Sequence, residues 1–497
     1  MGMTLALQRL ATLSWQFLAL TPLLALAAYW TGGEPALAAL AATVPLAVLA
    51  FGRLAPPERP GAVSDQVIAR LDAILSETAV RGGATGCLVI QFDGAAHLCD
   101  RLGRARQSEV LATLVARLRG ALRPGDLLYP LEDGGLAVVL SASPRLDAEI
   151  MVRIAARMQL VVQQPVILAS GPVQVICSIG FCHSPQLAQP DGRALLDAAQ
   201  IAGDEARACR PGAIRGFTAE LARARAERDA LRTGFADGVG RGEVRAWFQP
   251  QVSTDSGEVT GIEALVRWHH PERGCLAPGA FLPAIEGSDL MELLGHTMLT
   301  QSLATLADLD RQGLRIPTVA VNLSQQELRD PHLPDRLAWT LDRFGLTPSR
   351  LTVEVLESVV AGDGEDIVAA NIARIAALGC GVDLDDFGTG HASITAIRRF
   401  ALHRLKIDRS FVQHIDQNRD QQNLVTAILS LAERLGLDTV AEGVETPAEH
   451  ALLAQLGCGH VQGFVVARPM PAEDLAEWLA AYRDRQSREI RIGVRAK

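Results

Sequence analysis

Five side chains with oxygen ligands stand at the ends of short apolar runs in the second half of the chain. They are Glu263, Asn322, Glu354, Asp385 and Asp386. No histidine or cysteine stands at a matching position, so the set suits Mg²⁺ or Mn²⁺ and does not suit zinc. Five such ligands exceed what one Mg²⁺ takes from a protein, which indicates two cations that share a carboxylate. Paired cations of this kind promote in-line displacement at phosphorus.

Four further polar side chains end neighbouring apolar runs. They are Gln249, Lys406, Glu442 and Gln462. A lysine in this position can orient water or stabilise charge on a phosphate, and Arg267, on the same run as Glu263, can hold a phosphate. An isolated acid after a strand usually caps the next helix. That role explains any single position, whereas the whole ordered set favours a catalytic site.

The runs that carry these residues are typical of strands, and most of the stretches between them can hold a helix. The candidate strands are 246–252, 260–268, 318–324, 350–357, 379–387, 402–408, 438–445 and 459–464. This alternation predicts a TIM-like (β/α)8 barrel, in which the active site lies at the C-terminal ends of the strands. We therefore expect the polar residues to meet at one face of a barrel.

The length, net charge and cysteine content of the chain limit the classes of protein to which it can belong. A length of 497 residues predicts two or three domains. The formal net charge of −9 argues against a partner that is a nucleic-acid polymer. Eight cysteines are scattered without a C-x-x-C pair, which favours reduced thiols over a zinc site or a disulfide framework.

Residues 10–33 and 35–52 contain no charged residue, and each run is about the ~20 residues that cross a bilayer as a helix. Arg9 precedes the pair and Arg53 follows it, whereas the short link between the runs carries no basic residue. The positive-inside rule then places both ends in the cytoplasm. These features predict a two-helix transmembrane anchor over 1–54, and the alternative is a cleaved signal peptide.

The part of the chain between the anchor and the barrel has two segments. Apolar residues at helical spacing predict an amphipathic helix within 55–82. This helix either packs on its own domain or pairs with a second copy and transmits a signal from the membrane. From 83 to 220, short β-branched runs alternate with helical stretches, which indicates a smaller α/β domain.

The smaller domain resembles a known family in three stretches. "RPGDLLYPLEDGGLAVVL" (123–140) is similar to the centre of a GGDEF domain, "VICSIGF" (175–181) to its late strand, and 195–217 to its closing helix and strand. The five signature positions read "EDGGL" (132–136), so the two acids of the family are missing. Its metal-binding aspartate falls on Gln91, a poor ligand for a hard cation. The resemblance implies a degenerate GGDEF-like domain without diguanylate cyclase activity.

One feature of that family is retained. Arg123 and Asp126 form an R-x-x-D pair just before the signature, at the spacing of the family's inhibitory site. By resemblance this is a second dinucleotide site, where the forked guanidinium of the arginine grips phosphate. The alternative is a surface salt bridge between the two residues. The resemblance also allows GTP to bind at this domain.

A second resemblance covers about residues 241–475. "FQPQV", "EALVRWHHPERG", "VNLS", "VEVLES", "DDFGTGHAS", "LKIDRSFV", "AEGVE" and "QGFVVARP" occur in the order that is typical of the EAL family of cyclic-di-GMP phosphodiesterases. The resemblance implies hydrolysis of cyclic-di-GMP to linear pGpG with two Mg²⁺ or Mn²⁺ per barrel.

The EAL resemblance also assigns roles to the residues named above. Glu263, Asn322, Glu354 and Asp385 would bind one metal, and Asp385 with Asp386 the second. Lys406 and Glu442 would act on the attacking water. Gln249, Gln462 and Arg267 would contact the substrate, with Arg267 on a phosphate. Glu357 would support the "DDFGTG" loop. Three departures from the family pattern bear on regulation or rate and remove no ligand: Leu356 for a threonine, the loop at His391, and Gln251 where an aliphatic residue is usual.

Together these observations predict a membrane-anchored cyclic-di-GMP phosphodiesterase with an inactive GGDEF-like regulatory domain. The domains are an anchor (1–54), a signalling helix (55–82), the GGDEF-like domain (83–220), a connecting helix (221–240), the EAL domain (241–480) and a polar tail (481–497). We expect a homodimer at the bacterial inner membrane with its catalytic domains in the cytoplasm. The alternatives are a receptor that binds cyclic-di-GMP without cutting it, and a bifunctional enzyme that would need the missing acids.

Overall fold

The structure, a computed structural model, describes residues 62–94, 103–132, 134–169, 171–361, 366–388 and 397–495. Both predicted membrane spans, 10–33 and 35–52, lie outside these ranges. Within the ranges, we find no helix with the length and apolar character that crossing a bilayer requires. The chain divides into two compact units, Met1–Arg225 and Ala226–Lys497.

The first unit is an α/β sandwich, as the sequence predicts. Its helices are α1 (Ala62–Arg81), α2 (Arg104–Ala121), α3 (Ala148–Gln163), α4 (Gly192–Cys209) and the start of α5 (Ala219–Gly240). Its strands are β1 (Gly86–Asp93), β2 (Leu127–Pro130), β3 (Leu136–Val139), β4 (Val166–Leu168), β5 (Gly171–Val173), β6 (Ile176–His183) and β7 (Ile214–Gly216). Five of them form a sheet in the order β2-β3-β1-β6-β7, and only the β6–β7 pairing is parallel.

The central strand β1 explains why this sheet needs helices on both faces. Successive side chains of a strand point to opposite faces. Leu88 and Ile90 pack into one apolar cluster, whereas Cys87 and Val89 pack into another.

The helix α1 covers the second of these clusters. Val67 and Leu71, one helical turn apart, are fully buried in it. Asp72 accepts a hydrogen bond of 2.6 Å from the backbone N–H of Gly192, at the start of α4. The helix therefore packs on its own domain, and its pairing with a second copy stays a prediction.

The second unit is an eight-stranded barrel. Its strands are β8 (Val244–Ser253), β9 (Val259–His270), β11 (Val319–Asn322), β12 (Leu351–Leu356), β13 (Gly381–Phe387), β14 (Arg404–Ile407), β15 (Asp438–Ala441) and β16 (His460–Gln462), with β10 (Gly274–Leu276) and β17 (Met470–Pro471) at its edges. Its helices are α6 (Pro278–Ile285), α7 (Leu290–Arg311), α8 (Gln325–Leu328), α9 (Leu333–Arg343), α10 (Glu357–Ala361), α11 (Asp366–Leu378), α12 (Arg409–Val412), α13 (Arg419–Leu435), α14 (Pro447–Leu456) and α15 (Ala472–Arg495).

The barrel departs from the predicted (β/α)8 pattern at its first strand. From β9 to β16 the neighbouring barrel strands run parallel, but β8 is antiparallel to both β9 and β16. The reason is the five-residue turn 254–258 between β8 and β9. A parallel pairing would need a crossover of a dozen or more residues, whereas a short turn returns the chain antiparallel. The prediction of eight strands is confirmed, and the prediction of a regular parallel barrel is wrong for β8.

The end of α5 packs on the barrel. Phe235 is fully buried and meets Trp268 of β9 edge to face, with 5.3 Å between ring centroids, and stacks on Phe281 of α6 at 5.7 Å. Aromatic pairs at these distances are favourable beyond the area they bury. This half of the helix is therefore part of the hydrophobic core of the second unit.

Candidate active site

The centre of the site is the ammonium group of Lys406, on β14, whose side chain is only 1% exposed. Its Nζ lies 2.6 Å from Glu442, 2.8 Å from Glu354, 3.0 Å from Asp385 and 3.7 Å from Glu263. Burial by itself lowers the pKa of Lys406, but the four carboxylates outweigh it and hold the pKa well above its usual value. The lysine is therefore a fixed positive charge inside an acidic cluster.

Parallel register brings this cluster together. Asn322 of β11 stands beside Glu354 of β12 in the register, and Leu356 of β12 stands beside Asp385 of β13. Asn322 Nδ2 donates to Glu263 Oε1 at 3.2 Å and to Glu354 Oε2 at 3.1 Å. The residues predicted to share one metal thus lie side by side, as strand ends on one face of a parallel sheet should.

The second predicted metal position lies at the end of β13. Asp386 has a φ of 53°, in the left-handed region, and its N–H donates to Asp385 Oδ1 at 3.0 Å. The ligand atoms of Asp385, Asp386 and Glu442 lie within 4.8 Å of one another. Burial raises the pKa of Asp386, helped by Asp385 and Asp408. Burial also raises the pKa of Glu442 to about 8, although Lys406 opposes that shift.

These residues fit divalent cations of the Mg²⁺ type. All the donors are oxygens, and the carboxylates of Glu263, Glu354, Asp385 and Glu442 share the single ammonium of Lys406 among the described residues. Burial and the neighbouring carboxylates raise the pKa of Glu354 well above its usual value, although Lys406 opposes the shift. The nitrogen of the Asn322 amide faces the acids, so its oxygen would face a metal only after the amide rotates.

Two glutamines complete the floor of the site. Gln462, on β16, donates from Nε2 to Glu263 Oε2 and to Gln249 Oε1, the latter at 3.1 Å. Gln249 donates in turn to the carbonyl of Ala467 at 3.0 Å. The sequence predicts that Gln249 ends a strand, but it lies inside β8, directly opposite Glu263 of β9. The antiparallel direction of β8 explains this, because its C-terminal end lies at the opposite face of the barrel.

Three further residues that the sequence analysis selected are Glu357, His391 and Arg267. Glu357, at the start of α10, is buried and accepts from the N–H of Gly388 at 2.9 Å, at the root of the "DDFGTG" loop. Residues 389–396, which include His391, lie outside the described residues. Arg267 is half-buried, with its guanidinium over the ring of Trp247 at 5.6 Å. It is not among the described residues that line the cleft, so its phosphate contact stays a prediction.

A cleft of about 320 Å³ opens above the acidic centre. Its lining includes several residues that the sequence analysis did not select: Asp408, Arg409, Gln413, Glu445 and Phe464. The sequence could have indicated these residues, because each follows one of the last three barrel strands, at the face where the active sites of barrels form. Phe464 stays 46% exposed and lies under the guanidinium of Arg468, 4.1 Å from its ring centroid.

In the first unit, the residue at the family's metal position makes a structural contact. Gln91 is buried, and its Nε2 donates to Asp204 Oδ1 at 2.9 Å. Arg225, on α5, pairs with the other oxygen of Asp204 at 2.7 Å. The place of Gln91 at the family's metal position, which the resemblance implies, stays a prediction.

The R-x-x-D pair is a loop contact in the structure. Asp126 accepts from the N–H and the hydroxyl of Ser141, both at 2.9 Å, and from the backbone N–H of Arg123 at 3.3 Å. The side chain of Arg123 is exposed. Asp126 therefore anchors the loop to β3, and the role of Arg123 in binding a dinucleotide stays a prediction.

The fold and the site together define a barrel protein with an acidic centre of the kind that binds divalent cations. Residues 228–469 match the EAL domain family, and residues 67–210 match the family described as diguanylate cyclase, GGDEF domain. The chain therefore belongs to the proteins that combine a GGDEF domain with an EAL domain, which confirms both resemblances at the level of family.

Named relatives share most of this chain. The bifunctional diguanylate cyclase/cyclic di-GMP phosphodiesterase MucR of Pseudomonas aeruginosa is 31% identical over 391 residues, 78% of this chain and 56% of that protein. The cyclic di-GMP phosphodiesterase NbdA of the same organism is 30% identical over 416 residues, 82% of this chain and 52% of that protein. The chain thus spans about half the length of these curated relatives.

A solved structure, the PaMucR phosphodiesterase in complex with c-di-GMP, is 36% identical to this chain. The match covers 50% of this chain and 99% of that chain, with a TM-score of 0.47.

Proposed function

We propose that this protein hydrolyses cyclic-di-GMP to linear pGpG in its barrel. The observation that carries the proposal is the buried Lys406, surrounded by carboxylates at the floor of an open cleft. The names of the relatives MucR and NbdA support the choice of substrate and reaction. Alternatives that only bind the dinucleotide do not require this complete set of acids.

The proposed site uses two Mg²⁺ or Mn²⁺ ions. Glu263, Asn322, Glu354 and Asp385 would hold one ion, and Asp385 with Asp386 the second. When bound, the ions supply positive charge to the phosphate and make water more acidic. We assign Mg²⁺ or Mn²⁺ because every donor is an oxygen atom.

Side chains of the protein orient the water, the metal ligand Glu263 and the substrate. The ammonium of Lys406 orients the attacking water or stabilises the negative charge that develops at phosphorus. Glu442, 2.6 Å away, holds that ammonium in place. Gln462 and Gln249 keep Glu263 in position from the floor, and Arg267 binds a phosphate at the rim.

The test is Glu263→Ala in the full chain. Without Glu263, release of pGpG in Mg²⁺ or Mn²⁺ should fall at least about 100-fold, the usual loss when a group that acts on transition-state charge is removed. Glu433→Ala, which changes an exposed acid on α13, is the matched control and should keep full activity. Tight binding of cyclic-di-GMP by the wild-type chain without any pGpG would instead identify a receptor.

We propose that the first unit has no cyclase activity and regulates the barrel. The support is Gln91, an amide at the family's metal position, already bonded to Asp204. The full chain should form no cyclic-di-GMP from GTP with Mg²⁺. Accumulation of this product would show instead a bifunctional enzyme.

The remaining proposals concern place and partners. We propose that residues 1–54 anchor the chain in the bacterial inner membrane, which fractionation of cells tests. We also propose a homodimer, tested by light scattering of the full chain, and binding of GTP to the first unit, tested by its effect on the melting temperature. The charge-free runs and the family resemblance support these proposals.

A further inference from the structure

Gln251 lies one layer below the acidic centre, on β8, and its side chain is fully buried. It points to the same face of its strand as Gln249, two residues earlier. Its Nε2 donates to Gln462 Oε1 at 2.8 Å, whereas its Oε1 has no hydrogen-bond partner among the described residues. A buried polar atom without a partner is unfavourable, so this glutamine lowers stability at a position that an apolar side chain could fill.

The partner of Gln251 is the amide that contacts Glu263. Gln462 donates from Nε2 to Glu263 Oε2 and to Gln249 Oε1, and accepts on Oε1 from Gln251. These three contacts lie on both ends of the amide and fix its plane. The opposite orientation would place the Gln462 oxygen against the carboxylate of Glu263, where the two would repel each other.

We propose that Gln251 is a positioning residue that acts on Glu263 through Gln462. It holds the Gln462 amide in the orientation that donates to Glu263, and so holds that carboxylate toward Lys406. The proposal rests on the proposed function, in which Glu263 takes part in the reaction. Gln251 itself is not among the described residues that line the cleft, whereas its partner Gln462 is, and no described hydrogen bond or ion pair joins Gln251 to Lys406.

The main variant is Gln251→Met, which replaces the amide with an apolar side chain of similar length. We expect kcat for cyclic-di-GMP hydrolysis by the full chain to fall about 10–100-fold, the usual effect of losing a group that orients a ligand residue. KM should change much less, because Gln251 does not contact the substrate. Gln251→Leu is a second variant with the same expected result, in case Met packs poorly.

A double-mutant cycle separates positioning from general damage. In a Gln462→Met background, adding Gln251→Met should reduce kcat no further, because the path to Glu263 is already broken. Gln301→Met is the matched control. Gln301, on α7, also bonds to β8 through the N–H of Ala246 and the carbonyl of Val244, but it is remote from Gln462. It should lower the melting temperature and leave kcat unchanged.

A measurement that does not depend on hydrolysis, the melting temperature with Mn²⁺, tests the positioning role of Gln251 separately from the proposed hydrolysis of cyclic-di-GMP. Mn²⁺ alone should raise the melting temperature of the wild-type chain more than that of Gln251→Met, because a displaced Glu263 offers a poorer ligand. An inactive wild-type chain would contradict the proposed function. Equal Mn²⁺ shifts in both chains, an unchanged kcat in Gln251→Met, or independent effects of Gln251→Met and Gln462→Met would overturn the positioning role.

Discussion

At the scale of single residues, the choice of lysine at position 406 is informative. The chain contains 47 basic residues, and only Lys406 and Lys497 are lysines. Elsewhere the sequence uses arginine, whose planar fork suits bidentate pairing. Around Lys406, three carboxylate oxygens lie within 3.0 Å of one nitrogen, from Glu354 on β12, Asp385 on β13 and Glu442 just after β15. A compact ammonium meets that geometry, and a flat guanidinium does not.

Lys406→Arg therefore should not preserve function, although it preserves charge. The larger group must displace Glu354, Asp385 or Glu442, so we expect pGpG release to fall by about 100-fold or more. The measurement is kcat of the full chain in saturating Mg²⁺. Lys497→Arg, the same change at the only other lysine, is the control. Near wild-type activity in Lys406→Arg would show that only the charge matters.

At the scale of elements, an ion pair between Arg350 and Asp310 links a helix to the start of a barrel strand. Arg350, just before β12, donates to both oxygens of Asp310 at the end of α7, at 2.6 and 2.9 Å, and to the carbonyls of Ile316 and Pro317 at 2.8 Å each. This cluster ties α7 to the start of the strand that carries Glu354. The hydrogen bond with Arg350 holds the pKa of Asp310 below its usual value, although burial opposes the shift.

The lowered pKa of Asp310 predicts a pH dependence. A carboxyl group with a depressed pKa in the folded state adds stability above its unfolded pKa, and this stability is lost as pH falls through the folded pKa. Asp310→Asn should therefore lower the free energy of unfolding by about 1.5–3 kcal/mol at neutral pH. The difference in the free energy of unfolding between wild type and Asp310→Asn, measured by urea titration, should become smaller as the pH falls toward about 3.

The control for this prediction lies on the same helix. Asp308 pairs with Arg311 but is half-exposed, so Asp308→Asn should change stability by less than about 1 kcal/mol. If the difference in the free energy of unfolding between wild type and Asp310→Asn does not depend on pH, the ion pair with Arg350 is not the source of that difference.

At the scale of the whole molecule, the chain divides into two compact units, and the boundary between Arg225 and Ala226 falls within α5. In the first unit Arg225 pairs with Asp204 beside Gln91, and in the second unit Phe235 packs in the barrel core.

The predicted anchor also belongs to this scale. Removal of residues 1–54 should move the protein from the membrane fraction to the soluble fraction of the cell, because both predicted membrane spans, 10–33 and 35–52, lie within this segment. The barrel residues are distant in sequence from the anchor, so pGpG release per molecule should stay within about tenfold. Membrane retention of the truncated chain would place the attachment elsewhere.

The sequence alone determined the chemistry of the site. The types and order of Glu263, Asn322, Glu354, Asp385 and Asp386 predicted oxygen ligands at strand ends, and the alternating runs predicted the strands. Such features are local, because side-chain chemistry and strand periodicity are readable within a few residues. Only the tertiary structure decided the opposition of Gln249 to Glu263 and the bond from Gln251 to Gln462. These contacts depend on the pairing of β8 with β9, which follows it closely, and with β16, which follows it by some 200 residues. Long-range register is set by packing of the whole barrel and not by local sequence.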